Sequence, residues 1–323
     1  MRYSRGVHRV AVLTLSALTS LGAFAFDLEG HRGARGLAPE NTLAAFRRAL
    51  AIGVTTLETD LAVTRDDVLV ISHDPYLNSD LVRDADGQWL VERGPAIRSL
   101  TLVELKRYDI GRMNPSSRYA TQFPSQQAAD GERFPTLDEL FDLVKTQPKP
   151  VRLNVETKIT PTDPHQTVDP ATFARLVVDT IHRAQLGERV TVQSFDWRTL
   201  VAVKKRDPSI ATACLTIETE NNDNVKPGDN GASPWTAGFD LRRYGSVPKL
   251  VKAAQCDIWS PLWRNATNER IDEAHALGIK VLPWTVNDPA EMARLIDAGV
   301  DGIITDYPDR LRAVMREKKL PLP

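Results

Sequence analysis

The sequence predicts an α/β fold, a (β/α)8 TIM barrel with a small insertion, and three observations support this prediction. Short apolar, β-branched runs alternate with helical patterns from residue 26 to the C-terminus, which is typical of βαβ units around a parallel sheet. Polar and charged residues directly follow several of these runs, and barrel enzymes collect their functional side chains at the carboxyl ends of strands. The chain has 323 residues, a length that one barrel with insertions can fill.

The first 25 residues have the three parts of a secretory signal peptide. A basic head with three arginines precedes the apolar run 11–24, and Ala23-Phe24-Ala25 is a small-residue cleavage site. An uncleaved membrane anchor is the alternative, but it needs roughly 20 apolar residues. We therefore expect a signal peptide over 1–25, a single barrel domain over 26–323 and a periplasmic or secreted location.

Composition excludes two classes of partner. Loss of the three arginines of the leader from 41 basic residues leaves 38 against 42 acidic ones, so the net charge becomes −4. Nucleic-acid or anionic-membrane binding would appear as a basic excess, and no later apolar run is long enough to be a membrane helix. Cys214 and Cys256 could pair in an oxidising compartment, but two small buried hydrophobic residues are an equally good interpretation.

The predicted elements follow one another along the chain. The strands are 26–31, 54–63, 68–72, 151–156, 190–194, 211–217, 257–260, 280–285 and 302–305. One helix begins near Pro39-Glu40-Asn41, with Asn41 as its cap, and the others lie near 137–146, 170–186, 197–206, 246–254, 267–277, 288–297 and 308–317. Nine strands are one more than a closed barrel needs, so we expect the surplus strand in a hairpin over 54–72.

Two polar stretches interrupt this alternation. Residues 75–135, directly after the His73-Asp74 motif, contain one convincing helix, Leu100–Asp109. A loop of that length in a compact domain is usually functional or a small subdomain. Residues 218–243 form a second, less regular insertion for which the sequence gives no reliable structural prediction.

Three carboxylates at strand ends predict a metal site. Glu58 and Asp60 point to the same face of one strand, and like charges that close repel unless a cation or proton lies between them. Glu156 ends another strand, with Asn154 and Lys158 at the same-face spacing. Carboxylates without cysteine suit one hard divalent cation, Mg²⁺ or Ca²⁺. A solvated edge pair and a structural ion pair are the alternatives.

Two histidines and an arginine complete the candidate chemistry. His31 and His73 follow predicted strands, and imidazole gives and takes protons near neutral pH. Arg32 offers a planar fork for phosphate oxygens, with a surface arginine paired to an acid as the alternative. The three glycines between residues 30 and 36 lack dinucleotide or P-loop spacing, so we expect them to let the backbone turn tightly beside a ligand.

The ordered set of motifs resembles that of the glycerophosphodiester phosphodiesterase family, in its bacterial secreted or periplasmic form. The matching motifs are His31-Arg32-Gly33, Pro39-Glu40-Asn41, Glu58-x-Asp60, His73-Asp74, Glu156-x-Lys158, Gln193-Ser194-Phe195, Trp284-Thr285-Val286-Asn287 and the run 301–306. The resemblance covers essentially all of the chain after residue 25 except the two insertions.

This resemblance implies a metal-dependent enzyme that hydrolyses glycerophosphodiesters, small molecules, to sn-glycerol 3-phosphate and an alcohol. Trp284 would pack against the glycerol or lipid-derived part, unless it is a core tryptophan. The implied residues are Glu58, Asp60 and Glu156 for the metal, Arg32 and Lys158 for the phosphate, His31 and His73 as general acid and base, and Glu40 and Asn154 as groups that orient the others.

Two alternatives remain. A phospholipase-D-like or phosphoinositide-type phosphodiesterase on a similar barrel would need a large apolar lip, which the polar stretch 75–135 does not suggest. A non-catalytic binding barrel would be expected to lack a histidine or carboxylate of the set, and none is missing. The sequence leaves open the head group, the choice of metal, whether a cyclic phosphate forms, the cysteine pairing and the oligomeric state.

Overall fold

The computed structural model describes residues 26–229 and 231–323, so the predicted signal peptide lies outside the described residues. The strands are β1 Asp27–Gly30, β2 Thr56–Val63, β3 Leu69–Ile71, β4 Arg152–Thr157, β5 Val190–Ser194, β6 Ala211–Thr216, β7 Ile258–Pro261, β8 Lys280–Val281 and β9 Gly302–Thr305. The helices are α1 Leu43–Ile52, α2 Leu102–Leu105, α3 Leu137–Lys145, α4 Pro170–Ala184, α5 Trp197–Arg206, α6 Leu241–Tyr244, α7 Val247–Ala253, α8 Asn268–Ala276, α9 Pro289–Asp297 and α10 Pro308–Glu317.

Eight parallel strands form the barrel wall in the order β8-β7-β6-β5-β4-β2-β1-β9, which confirms the predicted fold class. The strand outside this order, β3, pairs antiparallel with β2. The surplus strand therefore does lie in the 54–72 hairpin, as predicted. The strands at the two ends of this order are β8 and β9. Backbone hydrogen bonds join β9 to the residues just after β8: Ile304 donates to Pro283, and Val286 donates to Ile304, each at 3.0 Å. The predicted strand 280–285 is shortened to β8 because Pro283 has no N–H to continue the ladder.

Helix α1 begins one residue later than predicted, and Asn41 is not its cap. Thr42 is the N-cap, and its Oγ1 accepts a hydrogen bond from the Ala45 N–H at 3.1 Å. Asn41 has a left-handed backbone (φ +57°), whereas an N-cap residue is typically extended. Its side-chain amide donates to Asp60 at 2.9 Å instead. The prediction of Asn41 as a cap was therefore wrong, because its side chain serves the mouth of the barrel.

The insertion 75–135 packs a small core of its own against the β2–β3 hairpin. Its members are Ala62, Val70, Leu77, Val82, Ile97, Leu105, Ile110 and Phe134. The predicted helix 100–109 is shortened to α2. Thr101 and Glu104 form a capping box at its N-terminus. The chain leaves the helix early because Asp109 donates a backbone hydrogen bond to Arg83 at 2.9 Å, which draws this segment into an irregular pairing.

The two cysteines form a disulfide that links β6 to the segment before β7. The Cα atoms of Cys214 and Cys256 are 5.9 Å apart, and both residues are buried. The pairing that the sequence left open is therefore present in the structure.

Across the part of the chain that the structure describes, no helix has the length and apolar character that crossing a bilayer requires.

Candidate active site

The carboxyl ends of neighbouring strands bring the predicted carboxylates to one mouth of the barrel. Strands β2 and β4 are paired in register, with Glu58 opposite Asn154 and Asp60 opposite Glu156. Side chains two residues apart in a strand share a face. The parallel pairing therefore places the third carboxylate directly beside the first two.

Glu58, Asp60 and Glu156 form the one group of potential metal ligands found among residues 26–229 and 231–323. One carboxylate oxygen from each lies within 4.8 Å of the others, and all three side chains are buried. Three buried carboxylates without a neutralising ion would repel one another in a medium of low dielectric. The donor set contains oxygen only, so the site fits a hard divalent cation.

The three carboxylates differ in their affinity for protons. Burial raises the pKa of Glu58 well above its usual value, and repulsion from Asp60 adds to the rise. Burial likewise raises the pKa of Glu156 to about 7, although Lys158 opposes this. Burial also disfavours the charged form of Asp60, but Arg32 and Lys158 outweigh it and hold the Asp60 pKa below its usual range. Without a cation, the cluster therefore retains protons near neutral pH.

Two amide side chains, to which the sequence analysis gave no chemical role, orient the carboxylates. Gln193, at the end of β5, donates to Glu58 Oε1 at 2.8 Å, while Asn41 donates to Asp60 Oδ2 at 2.9 Å. Both residues were matched to motifs. The only signal for Gln193 was a polar side chain at the end of an apolar strand, and the signal for Asn41 was misread as a helix cap.

Lys158 and Arg32 place two cations beside the cluster. Lys158 Nζ lies 2.9 Å from Glu156 Oε1 and 3.7 Å from Asp60 Oδ1. Arg32 Nη1 donates to Glu40 at 2.7 Å, and its backbone N–H donates to Glu58 at 2.8 Å. Arg32 Nε is buried and lies 3.3 Å from Asp60 Oδ2, in an ion pair without hydrogen-bond geometry. A guanidinium held next to a predicted metal site is suited to binding phosphate oxygens.

A tight backbone turn presents Arg32 to the site. Arg32 itself has φ +49° and the following Gly33 has φ +86°. A Cβ atom at Gly33 would lie 2.7 Å from the carbonyl carbon of Ala45 in α1, so only glycine allows this close approach. The expectation that a glycine permits a tight turn at this loop is therefore confirmed at Gly33.

His31 is held between a buried carboxylate and the cluster. Its Nδ1 lies 2.6 Å from Asp306 Oδ1, and its Nε2 lies 3.9 Å from Glu58 Oε2. Burial lowers the pKa of His31 to about 4, and the positive charge of Arg35 adds to this, while Asp306 opposes it. His31 is therefore neutral near pH 7. Its proton lies on Nδ1, because Asp306 accepts there, and Nε2 is left as a proton acceptor.

Asp306 lies in the matched run 301–306, but the sequence gave no reason to assign it a role of its own. Burial disfavours its charge, but His31 and Arg35 hold its pKa below the usual range. Arg35 donates to both of its oxygens, at 2.8 and 3.0 Å, and Asn287 donates to it at 2.7 Å. The available signal was positional, because Gly30 of β1 pairs with Thr305 of β9 and the residues after them must be neighbours.

His73 follows the hairpin strand β3 and is more open than His31. Its Nδ1 lies 3.0 Å from Asp74 Oδ1, and the side chain is 34% exposed. Burial lowers its pKa, and the cations Arg32 and Lys158 act in the same direction. The two predicted histidines therefore reach the cluster from β1 and from the hairpin, on separate elements.

A cavity of about 180 Å³ lies over the cluster and brings most of the predicted residues together. Trp284 lies at its rim, half-buried, with its ring edge-to-face against Phe195 at 5.3 Å. Its Nε1 donates to the Ser260 carbonyl at 2.9 Å, which fixes the ring. The predicted residues that line this cavity are His31, Arg32, Glu58, His73, Glu156, Lys158 and Trp284.

Two predicted orienting residues lie behind this lining. Glu40 accepts from Arg32 and also from the Tyr119 hydroxyl of the 75–135 insertion. Asn154 lies deeper in the barrel, where its amide donates to Glu29 at 2.9 Å and to Gln193 at 3.1 Å. Among the described residues, Asn154 is linked to the cluster by its hydrogen bond to Gln193.

Known proteins resemble this chain along most of its length. A model of the glycerophosphoryl diester phosphodiesterase family matches residues 31–310. A glycerophosphodiester phosphodiesterase of Caldanaerobacter subterraneus subsp. tengcongensis is 29% identical over 291 residues, which cover 89% of this chain and 96% of the relative. A human lysophospholipase D is 25% identical over 292 residues, with 87% and 83% of the two chains covered.

Solved structures show the same fold. One is a putative glycerophosphoryl diester phosphodiesterase of Silicibacter pomeroyi DSS-3. It is 32% identical to this chain with a TM-score of 0.82, and the match covers 93% of this chain and 96% of that chain. An Oleispira antarctica phosphodiesterase, solved with the product sn-glycerol-3-phosphate, is 24% identical with a TM-score of 0.66, and 91% and 98% are covered.

Proposed function

The chain belongs to the glycerophosphoryl diester phosphodiesterase family, and we propose that it hydrolyses glycerophosphodiesters to sn-glycerol 3-phosphate and an alcohol. The observation that supports this best is one cavity lined by two histidines, three cationic side chains and two of the three clustered carboxylates. Each charge that builds up when a phosphodiester is cleaved has an opposite charge or a proton donor within this cavity.

We propose that Glu58, Asp60 and Glu156 hold one divalent cation, Mg²⁺ or Ca²⁺, whose charge would offset the negative charge on the phosphoryl oxygens. Arg32 and Lys158 bind the phosphate beside it. The Arg32 guanidinium supplies N–H donors, and Lys158 Nζ supplies a point charge. These contacts orient the phosphorus toward the two histidines.

The histidines move protons on either side of the phosphorus. His31 Nε2 accepts the proton of the attacking hydroxyl, from water or from the glycerol of the substrate, while Asp306 holds the opposite Nδ1–H. His73 gives a proton to the leaving oxygen. A bound phosphate anion would favour the protonated form of His73, because an opposite charge nearby raises the pKa of an imidazole. Trp284 packs against the glycerol.

The proposed activity is tested with the purified chain 26–323. Glycerophosphocholine and glycerophosphoethanolamine should each yield sn-glycerol 3-phosphate, measured with a coupled dehydrogenase. EDTA should abolish the reaction, and Mg²⁺ or Ca²⁺ should restore it. The Asp60→Asn variant, purified identically, should be inactive, which controls for contaminating enzymes. Full activity in a preparation shown to be metal-free by elemental analysis, or phosphate leaving with the head group, would refute the proposal.

Lysophospholipids are a second substrate class to test, because a human relative is named a lysophospholipase D. We propose that small deacylated diesters are the better substrates. The pocket between His73 and the insertion is lined mainly by apolar side chains, among them Leu81, Val82 and Phe134, but its volume of about 30 Å³ leaves no room for an acyl chain. A higher kcat/KM for lysophosphatidylcholine than for glycerophosphocholine would reverse this order.

We further propose that residues 1–25 are a signal peptide, that residues 26–323 form one domain and that the mature protein is periplasmic or secreted. The support is the three-part pattern of the leader and the disulfide between Cys214 and Cys256, since disulfides persist in oxidising compartments. N-terminal sequencing of the protein recovered from a periplasmic extract or culture medium should begin at Phe26. An intact N-terminus on protein from the cytosol would contradict this.

A further inference from the structure

A second cavity, of about 220 Å³, adjoins the cavity over the carboxylate cluster. We call the first the barrel cavity and the second the loop cavity. The two share His73, Glu156, Lys158 and Phe195 as a common wall. A phosphodiester bound at that wall would extend one ester arm into each cavity, because the proposed phosphate ligand Lys158 and the proposed metal ligand Glu156 lie between them.

The two cavities are built from different parts of the chain. The barrel cavity is lined mainly by residues at the ends of barrel strands, including His31, Gln193 and Ile304. The loop cavity is lined by two segments that connect barrel elements, 159–166 after β4 and 217–235 after β6. The rigid strand ends suit the glycerol phosphate that all these substrates share, and the loops suit the alcohol that varies.

The loop after β6 is fixed, although its sequence shows no regular pattern. Asn224 is buried, accepts from the Ile217 N–H at 2.9 Å and donates to the Leu215 carbonyl at 3.0 Å. Ser233 Oγ donates to the Asn224 carbonyl at 2.7 Å, and the Trp235 carbonyl accepts from the Trp197 N–H at 2.8 Å. These bonds hold the loop cavity open and preformed, as ligand sites usually are.

The lining of the loop cavity combines aromatic rings with uncharged polar groups. Trp235 and Phe195 provide the rings. Gln166 and Asn222 also line it, and within the described residues their side-chain amides have no hydrogen-bond partner. Thr160 adds a hydroxyl. An amide both donates and accepts, so it matches a hydroxyl group, and an aromatic face packs against the carbon skeleton of a polyol.

The charges around the loop cavity disfavour a cationic head group. Among the described residues, the charged or titratable ones that line it are the wall residues His73, Glu156 and Lys158. Glu156 accepts from Lys158 at 2.9 Å and is a proposed metal ligand, so its charge is already compensated. An ammonium group in this cavity would face Lys158 without a free carboxylate to pair with, which costs binding energy.

From this lining we infer that the loop cavity is the subsite for the leaving alcohol and that it prefers an uncharged polyhydroxy alcohol, such as glycerol or a cyclic polyol, to an ammonium head group. The inference rests on the proposed function, because it requires the scissile bond to lie at the cluster. In the reaction, an oxygen of water forms the new P–O bond while its proton passes to His31 Nε2, the P–O bond to the alcohol breaks, and the alcohol oxygen takes a proton from His73.

The test compares diesters that share sn-glycerol 3-phosphate and differ in the alcohol: glycerol, inositol, choline, ethanolamine and methanol. The wild type should show a kcat/KM about tenfold higher for the two polyol diesters than for the two ammonium diesters. Trp235→Ala and Asn222→Ala should each lower kcat/KM for the polyol diesters by about three- to tenfold, mainly through KM, since each removes roughly one packing or hydrogen-bond contact. The methyl diester has no group to reach the subsite, so its hydrolysis should not change.

Asn221→Ala is the matched control, because Asn221 is exposed like its neighbour Asn222 but does not line the cavity. This variant should leave all five rates unchanged. A preference for the ammonium diesters, or an equal loss on the methyl diester in both test variants, would overturn the subsite assignment. If the wild type hydrolysed none of the five diesters, the proposed function itself would fall. Hydrolysis of all five without discrimination would overturn only the subsite.

Discussion

Replacing Glu156 with glutamine should stabilise the metal-free protein at pH 8 and leave its stability unchanged near pH 4.5. Burial raises the pKa of Glu156 from 4.5 to about 7 in the folded protein. A raised carboxyl pKa stabilises the fold while the group is protonated. That contribution is complete below about 4.5 and is lost as the pH rises through about 7. Above about pH 7 the ionised group destabilises the fold by about 3 kcal/mol, because each pKa unit of the rise is worth roughly 1.4 kcal/mol.

The measurement is urea unfolding of EDTA-treated wild type and Glu156→Gln between pH 4.5 and pH 8. The free energy of unfolding of the variant, relative to wild type, should rise from near zero to about 3 kcal/mol across this range. Glu92→Gln, at an exposed side chain, is the control and should show no such trend. Saturating Mg²⁺ or Ca²⁺ should stabilise the wild type, by about 2.7 kcal/mol at a hundredfold excess over Kd. The variant should gain much less.

The outcome that contradicts this reasoning is a metal-free Glu156→Gln protein that is less stable than wild type at pH 8. Such a result would mean that the hydrogen bond from Lys158 to Glu156, at 2.9 Å, contributes more than burial and repulsion take away. A difference that did not vary with pH would also refute it, because a packing effect of the substitution does not titrate. Either result would weaken the case for a cation at the cluster.

Other expected outcomes concern proton transfer and the disulfide. His31→Ala and His73→Ala should each lower kcat by roughly 10² to 10⁴ in a folded protein, and a change within a factor of about three would remove that residue from the mechanism. Asp306→Asn should lower kcat by roughly tenfold or more, with a smaller change in KM, and should shift the pH–rate profile. The reason is that asparagine no longer fixes the His31 tautomer, and an unchanged pH–rate profile would refute this. Replacing Cys214 and Cys256 with alanine should lower the free energy of unfolding by about 4 kcal/mol, from a sequence separation of 42 residues, as measured by urea titration, and no loss would show that the bond adds nothing.

The carboxylate cluster was predictable because it depends on two regular properties of strands. Alternation puts Glu58 and Asp60 on one face, and in-register parallel pairing puts Glu156 beside them. The sequence also predicted the order of strands and helices, since each is a local apolar pattern. The sequence could not predict which carboxylate holds a proton. The pKa values of Glu58 and Asp60 shift in opposite directions, and these shifts depend on where the side chains of Arg32 and Lys158 lie.

The contacts that the sequence did not reveal are long-range or irregular. Asp306 and His31 are 275 residues apart, and their hydrogen bond follows only from the pairing of the first and last strands. The loop after β6 is held by bonds between side chains and backbone, centred on Asn224. Such bonds follow no helical or strand period, so hydrophobic pattern gave no information about the loop cavity.

Arg32 shows how the barrel and the insertion together make the site. Its left-handed backbone is a strained conformation for a side chain of its size, which costs of order 1 kcal/mol and persists only where neighbours fix it. The barrel fixes its backbone through Glu58 of β2, and Glu40 fixes its guanidinium. Glu40 in turn accepts from Tyr119 of the insertion. The strand ends therefore position the carboxylates, whereas Arg32, a proposed phosphate ligand, is positioned jointly by the barrel and by Tyr119, which lies 79 residues after Glu40.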